Sequence, residues 1–260
     1  ALAAFFITAL ICMGIRFPDL HIGWWILFSI IPTLTELFSW RGSDNFFLPI
    51  FTVAWIQLVL NTPHLGSWIW ILVVVLFLIF FAWLVLHKKW LDQTGWWAAV
   101  WMAAILWISG GWKALSAPIF LLVAGSIAGR LFHAIHFSDK RTAQQVFSNG
   151  WIGVVLYMLY GLTDNFHWQV LAWCSFAISI CDTLSSEVGT AIGGKTFNIT
   201  NFRVMKPGLS GGVSVAGTIG GFIALLLLAA MLHFILPVTT AQLFWVVTTG
   251  MIGMLVDSFM

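Results

Sequence analysis

Charge is what this chain most lacks. Only 8% of its 260 residues are Asp, Glu, Lys or Arg and 61% are hydrophobic, whereas a soluble domain carries about a quarter charged residues. That scarcity excludes a water-solvated globule and leaves lipid as the solvent. Cysteine is scarce as well: Cys12, Cys174 and Cys181 are the only three, and all lie in apolar runs. Neither zinc-type spacing nor an even count is present, which argues against a metal knuckle or a disulfide framework, so they read as inert helix residues. The opening ALAAFFITAL has no initiator Met and no basic flank, so a targeting segment is not expected there. The first residue therefore reads as a cut end.

What the chain has in abundance is apolar length. Residues 65–86 and 211–236 are nearly unbroken apolar runs that reach the roughly 20 residues a membrane-spanning helix needs. Setting runs against polar breaks gives about ten spans: 2–15, 23–40, 46–60, 66–87, 95–110, 114–137, 149–162, 166–186, 211–236 and 241–260. The expected fold is an all-α, polytopic transmembrane helix bundle. If connections alternate sides, nine of the eleven Lys and Arg fall on one side, with Arg16 and Lys113 on the other. The positive-inside rule then puts the charged loops in the cytoplasm, and the expected location is the cytoplasmic (inner) membrane.

Residues 189–196 read GTAIGGKT and satisfy the phosphate-loop pattern G-x-x-x-x-G-K-[ST]. That pattern works only where a buried strand enters the glycines and a helix leaves, so that backbone N–H groups converge on phosphate. Here an apolar helix precedes Gly189, and FNITNF, without helical pattern, follows Thr196. The motif therefore reads as a chance match. The NIT sequon at Asn198, on the expected cytoplasmic side, should be silent.

Other polar residues carry more information. Asp182 and Glu187 sit at the cytoplasmic end of the eighth span, and Asp257 and Ser258 at the same end of the tenth. Carboxylates at membrane depth face a partner, a water cavity or an ion. Five residues apart, Asp182 and Glu187 point about 140° from each other on a regular helix. They converge only if the helix unwinds near Ser185 or Ser186, or if a third segment contributes. Before the seventh span, Arg141, Gln145 and Asn149 recur every four residues as one polar stripe, a guanidinium with two amides suited to a phosphorylated headgroup. Arg203 and Lys206 precede a Pro207-Gly208 turn, and Ser210, Gly211 and Gly212 open the ninth span with Ser214 just inside. A capped helix start beside two cations should bind an anion. Gly217, Gly220 and Gly221 allow close helix packing. With all three clusters on one side, divalent-metal-assisted phosphoryl or nucleotidyl transfer at the membrane face is the expected chemistry.

At these residues the chain resembles a known family. LDQTGWWAAV, VAGSIAGRLF, RTAQQVFSNG, DTLSSEVGT, KPGLSGGVSVAGT and GMIGMLVDS are similar, in order and spacing, to the integral-membrane phytyl-phosphate kinase family over residues 84–260. One element departs from the family, DTLSSEVG standing where DTWATEIG is usual. The resemblance implies transfer from a nucleoside triphosphate, CTP or ATP, to an isoprenoid monophosphate, giving the diphosphate. Mg²⁺ would be held by Asp182 and Glu187, with Asp257 a third candidate. Arg141, Gln145, Asn149, Arg203, Lys206, Ser210, Gly211, Gly212 and Ser214 would contact substrates. The expected partners are an isoprenoid phosphate lipid, the nucleotide and membrane lipids, and no nucleic acid. Residues 1–62 resemble the C-terminal end of phytol and dolichol kinase-like proteins, through Glu36, Asp44, Asn45 and Pro49. The implied division is therefore 1–62 and 63–260. A CTP-dependent lipid cytidylyltransferase would use the same groups, and a transporter or flippase is a third alternative.

Overall fold

The structure is a computed structural model, and it describes scattered residues between 6 and 33, then residues 90–131, 141–201, 203–209 and 211–259. The chain divides into two compact units, Ala1–Ile79 and Phe80–Met260. The expected spans from residue 34 to 87, with Glu36, Asp44, Asn45 and Pro49, lie outside the described residues, and everything below concerns the second unit.

Among the described residues, six helices make that unit. They are α1 (Gln93–Ala114), α2 (Ser116–Leu131), α3 (Ala143–Thr163), α4 (Phe166–Ile192), α5 (Val215–Ile235) and α6 (Thr240–Asp257). Between α4 and α5 lie three short strands, β1 (Thr196–Asn198), β2 (Val204–Met205) and β3 (Gly212–Ser214). They form an antiparallel sheet in the order β2-β1-β3, with Phe197 opposite Val204 on one side and Val213 on the other. The fold is mostly helical, as expected, with this small sheet added. Its cause is local: Gly193 and Gly194 take φ of 70° and 96°, which ends α4, and the β-prone stretch after them pairs across the turn that Asn198 closes. The Asn198 side chain accepts from the Thr200 and Asn201 N–H groups at 2.9 and 3.2 Å.

Three described helices, α3, α5 and α6, are long and apolar enough to cross a membrane, and the α1–α2 pair brings this to at most four if it is one span. Ten spans are not seen among the described residues. The expected spans 95–110 and 114–137 are instead a pair bent by 93° at the break between Ala114 and Ser116, and α1 has a kink of its own where Gly111 leaves helical geometry at φ 65°. α4 is longer, at 27 residues, but carries polar side chains that a lipid-facing helix would not. Protein surrounds it: α2, α3, α5 and α6 all pack on it, and α1 packs on α3. Outward residues of α5, such as Phe222, Ile223, Leu226 and Leu227, are exposed, as expected of a face solvated by acyl chains.

Two helical hairpins set the ends of the bundle. Asp164 and Asn165 join α3 to α4, with the Asn165 side chain accepting from the His167 N–H at 3.1 Å. Residues 236–239 join α5 to α6, capped by Thr239. The starts of α3 and α5 and the ends of α4 and α6 therefore share one end of the bundle. At that end the start of α1 is also tied to Arg141: the Asp92 N–H donates to the Arg141 carbonyl at 3.1 Å, and the Arg141 N–H to the Trp90 carbonyl at 3.4 Å.

α4 and α5 cross closely where side chains are missing. A Cβ at Gly217 would lie 2.5 Å from the Ser185 carbonyl oxygen, and one at Gly189 would lie 2.7 Å from Ser214 Oγ. Small residues at such a crossing let backbones approach in a membrane, as expected for Gly217. The contact brings the carboxylate end of α4 against the N-terminus of α5.

Candidate functional site

A cavity of about 360 Å³ opens at this crossing. α4 supplies Asp182, Ser185, Ser186, Glu187, Gly189 and Thr190; α5 supplies Gly217 and Thr218; α6 and the residue after it supply Met254, Asp257 and Ser258. The remaining wall is Thr196 of β1, Pro207 to Leu209, and Gly211 to Ser214. Asp182 and Asp257 both face this space, and the charge of Asp257 acts on Asp182.

Asp182 and Glu187 thus meet at one cavity, though not by the unwinding that their spacing suggested. α4 runs unbroken through Ser185 and Ser186 to Ile192. The cavity instead wraps around the end of the helix, and the third segment that brings in another carboxylate is α6. Sequence reasoning passed over Thr190, Thr196 and Thr218 as site residues. A signal was present for the first: Asp182, Ser186, Gly189 and Thr190 follow the i, i+4, i+7, i+8 spacing of one helix face. Thr196 was hidden because its strand pairing is non-local.

The metal set needs correction. Among the described residues, no group of three or more His, Cys, Asp or Glu is placed to hold an ion, so Asp182, Glu187 and Asp257 are not a three-carboxylate centre. Asp182, Glu187 and Asp257 all line the cavity, and Asp182 and Asp257 interact there through charge. Two carboxylates with hydroxyls, leaving room for water and phosphate oxygens, suit Mg²⁺, which is seldom caged by protein alone. The donor chemistry fits.

The glycine-rich loop is also corrected in detail. Gly211 and Gly212 line the cavity but do not open the helix: Gly212 lies in β3, and Ser214 is the N-cap, its Oγ accepting from the Gly217 N–H at 3.1 Å. Arg203 and Lys206 lie exposed around β2 and are absent from the cavity wall. The side chain of Ser210 lies outside the described residues. The phosphate-loop lookalike is confirmed as such, since a helix enters its glycines and a strand leaves, with Lys195 exposed.

The polar stripe before α3 does not form as one face. α3 begins at Ala143, so Arg141 precedes it, and the Gln145 side chain accepts from the Thr142 N–H at 3.0 Å. That amide caps the helix. Asn149 is half-buried on α3 and not part of the cavity wall. Arg141 reaches inward instead. Its Nη2 lies where a Cβ on Gly125 of α2 would be, with the Thr183 methyl of α4 3.2 Å from that point. Burial lowers the Arg141 pKa, and the charge of Glu187 opposes that shift.

A second polar cluster lies toward the opposite end of α3 and α4. The Trp173 indole N–H donates to the Tyr157 hydroxyl at 2.7 Å, both side chains are fully buried, and the buried Gln169 also bonds Tyr157.

With this geometry in place, comparison with known proteins assigns the chain to a family. It belongs to the integral membrane protein family DUF92, whose profile matches residues 75–260. It is 32% identical over 155 residues to the uncharacterized membrane protein sll0875 of Synechocystis, covering 55% of this chain and 60% of that protein. Over 68 residues it is 35% identical to the chloroplastic protein VTE6 of Arabidopsis thaliana, covering 26% of this chain and 20% of that one. A third relative, the uncharacterized membrane protein MJ0933 of Methanocaldococcus jannaschii, is 26% identical over 160 residues, 59% of this chain and 66% of that protein. The chain therefore spans less than two thirds of each of these relatives. No solved structure matches it.

Proposed function

We propose that this protein is a membrane phosphotransferase that passes the terminal phosphoryl group of a nucleoside triphosphate to an isoprenoid monophosphate in the cytoplasmic membrane. The observation that carries the reading is a single cavity whose lining has two characters: the carboxylates of Asp182 and Asp257, and the start of α5 with the glycine-rich backbone of residues 211–214. A helix start favours anions, whereas two carboxylates repel them, so a ligand satisfying both is an anion accompanied by a cation. A nucleoside triphosphate with Mg²⁺ has that composition. The resemblance of residues 84–260 to phytyl-phosphate kinases points the same way.

When bound, Mg²⁺ would supply charge neutralisation for two approaching anions. Asp182 and Asp257 would hold it, and free N–H groups at the start of α5 would face the phosphate oxygens. An oxygen of the acceptor phosphate dianion forms a bond to the γ-phosphorus, the bridging P–O bond to the β-phosphate breaks, and nucleoside diphosphate leaves with that electron pair. Gly189 and Gly217, where α4 and α5 cross closely, form part of the cavity wall.

The same donor set would also serve a cytidylyltransferase. The discriminating experiment incubates the reconstituted protein with farnesyl or phytyl monophosphate, Mg²⁺ and each nucleoside triphosphate, and weighs the products. Isoprenoid diphosphate with nucleoside diphosphate is expected. A CDP-linked lipid with pyrophosphate would replace kinase by cytidylyltransferase, and unchanged lipid with every nucleotide would refute transfer.

A further inference from the structure

The inward course of Arg141 has no part in the cavity described above. Its backbone is fixed at both N–H and C=O by the segment before α1, so its position does not depend on the side chain. That side chain enters a notch which exists because residue 125 is glycine, between α2 and α4. Among the described residues it donates no hydrogen bond, and its interaction with Glu187 is through charge. A guanidinium has five donors in a rigid fork matched to phosphate, and burying it without acceptors is costly. Two further donors, the buried indole N–H groups of Trp90 and Trp96, also have no acceptor among the described residues. Trp90 accepts from the Arg141 N–H through its backbone carbonyl, and Trp96 follows Asp92, whose N–H donates to the Arg141 carbonyl.

We propose that Arg141, seated in the Gly125 notch, forms an anion subsite for a phosphate monoester, separate from the carboxylate cavity and divided from it by α4. Thr183 lies on the Arg141 side of α4, while its neighbour Asp182 lines the cavity. Glu187 borders both: it lines the cavity and acts on Arg141. The inference rests on the phosphotransferase reading for its role, the acceptor's phosphate, but not for its test. A monoester dianion suits a fork donor, whereas the nucleotide needs the metal that the carboxylates attract. The shared chemistry covers both a lipid headgroup and free phosphate.

The test is equilibrium binding to the detergent-solubilised chain, with inorganic phosphate and octyl monophosphate as separate probes and no nucleotide present. Wild type is expected to bind octyl monophosphate, and Arg141→Gln to bind it at least tenfold more weakly, as losing a charged hydrogen bond implies. Gly125→Ala, which fills the notch while keeping the cation, is expected to weaken binding in the same direction. It serves as the second variant should Arg141→Gln fail to fold. Mn²⁺ binding in the presence of nucleotide should be unchanged in Gly125→Ala, which lies off the carboxylate cavity and keeps the Arg141 charge. Tighter binding of octyl monophosphate than of phosphate would make the subsite a lipid-headgroup site; equal binding would make it a free-phosphate site. Absence of binding to wild type, or wild-type affinity in folded Gly125→Ala and Arg141→Gln, would overturn the subsite while leaving the carboxylate cavity and its proposed reaction untouched.

Discussion

The two ends of α4 both carry polar side chains and put them to different use. Near its start, Gln169 and Trp173 close their hydrogen bonds on Tyr157, forming a knot that needs nothing from outside. Near its end, Asp182, Ser186, Glu187 and Thr190 face an open cavity. A buried polar network whose bonds are all made fixes a packing arrangement, whereas charges held against a cavity at membrane depth ask for a ligand. The same helix therefore has a structural end and a chemical end, and mutations at the two should separate cleanly.

The largest effect expected is at the chemical end. Asp182→Asn should lower the rate of phosphoryl transfer by about two to three orders of magnitude, as loss of an electrostatic stabiliser does, with an unchanged melting temperature in the same detergent. Unfolding together with inactivation would erase the contrast between the ends. Next comes the seam that forms the cavity wall. Gly217→Val puts atoms against the Ser185 carbonyl and Ser214 Oγ, and overpacking there should cost about 1–3 kcal/mol of stability, read by thermal denaturation, while also reducing transfer.

At the structural end the pattern should invert. Trp173→Phe removes the donor to the buried Tyr157 hydroxyl, which should cost about 1–3 kcal/mol and lower the melting temperature, with KM values for both substrates unchanged. A change in KM without loss of stability would place that knot in the substrate path. The smallest effects belong to the exposed cations. Lys195→Ala and Arg203→Ala lie off the cavity wall, and each should change transfer kinetics by no more than about fivefold, the scale of one exposed charge. A large effect of Lys195→Ala alone would revive the phosphate-loop reading of residues 189–196.

Much of this was legible from residue order, for physical reasons that differ by element. Apolar length and helical period marked α3, α5 and α6, because lipid imposes both on a spanning helix. α4 was legible through its carboxylates, whose cost at membrane depth makes them conspicuous. The lookalike motif could be dismissed because its flanks had the wrong periodicity. What could not be read was non-local. The sheet depends on pairing between Thr196 and both Met205 and Ser214, and the course of Arg141 depends on Gly125, sixteen positions away. The stripe of Arg141, Gln145 and Asn149 failed because helix spacing was assumed one turn too early, before the capping residue Thr142. The bend between α1 and α2 at Leu115 was hidden because residues 111–113 read as a loop between two spans.

The central claim is that Asp182 and Asp257 hold a divalent cation together with nucleotide phosphates. Mn²⁺ binding, followed by electron paramagnetic resonance on the full chain with a non-hydrolysable nucleoside triphosphate, tests it most directly. The account predicts about one tightly bound Mn²⁺ per chain in the wild type when nucleotide is present, and its loss in Asp182→Asn and in Asp257→Asn. Undiminished Mn²⁺ binding in both folded variants would contradict it.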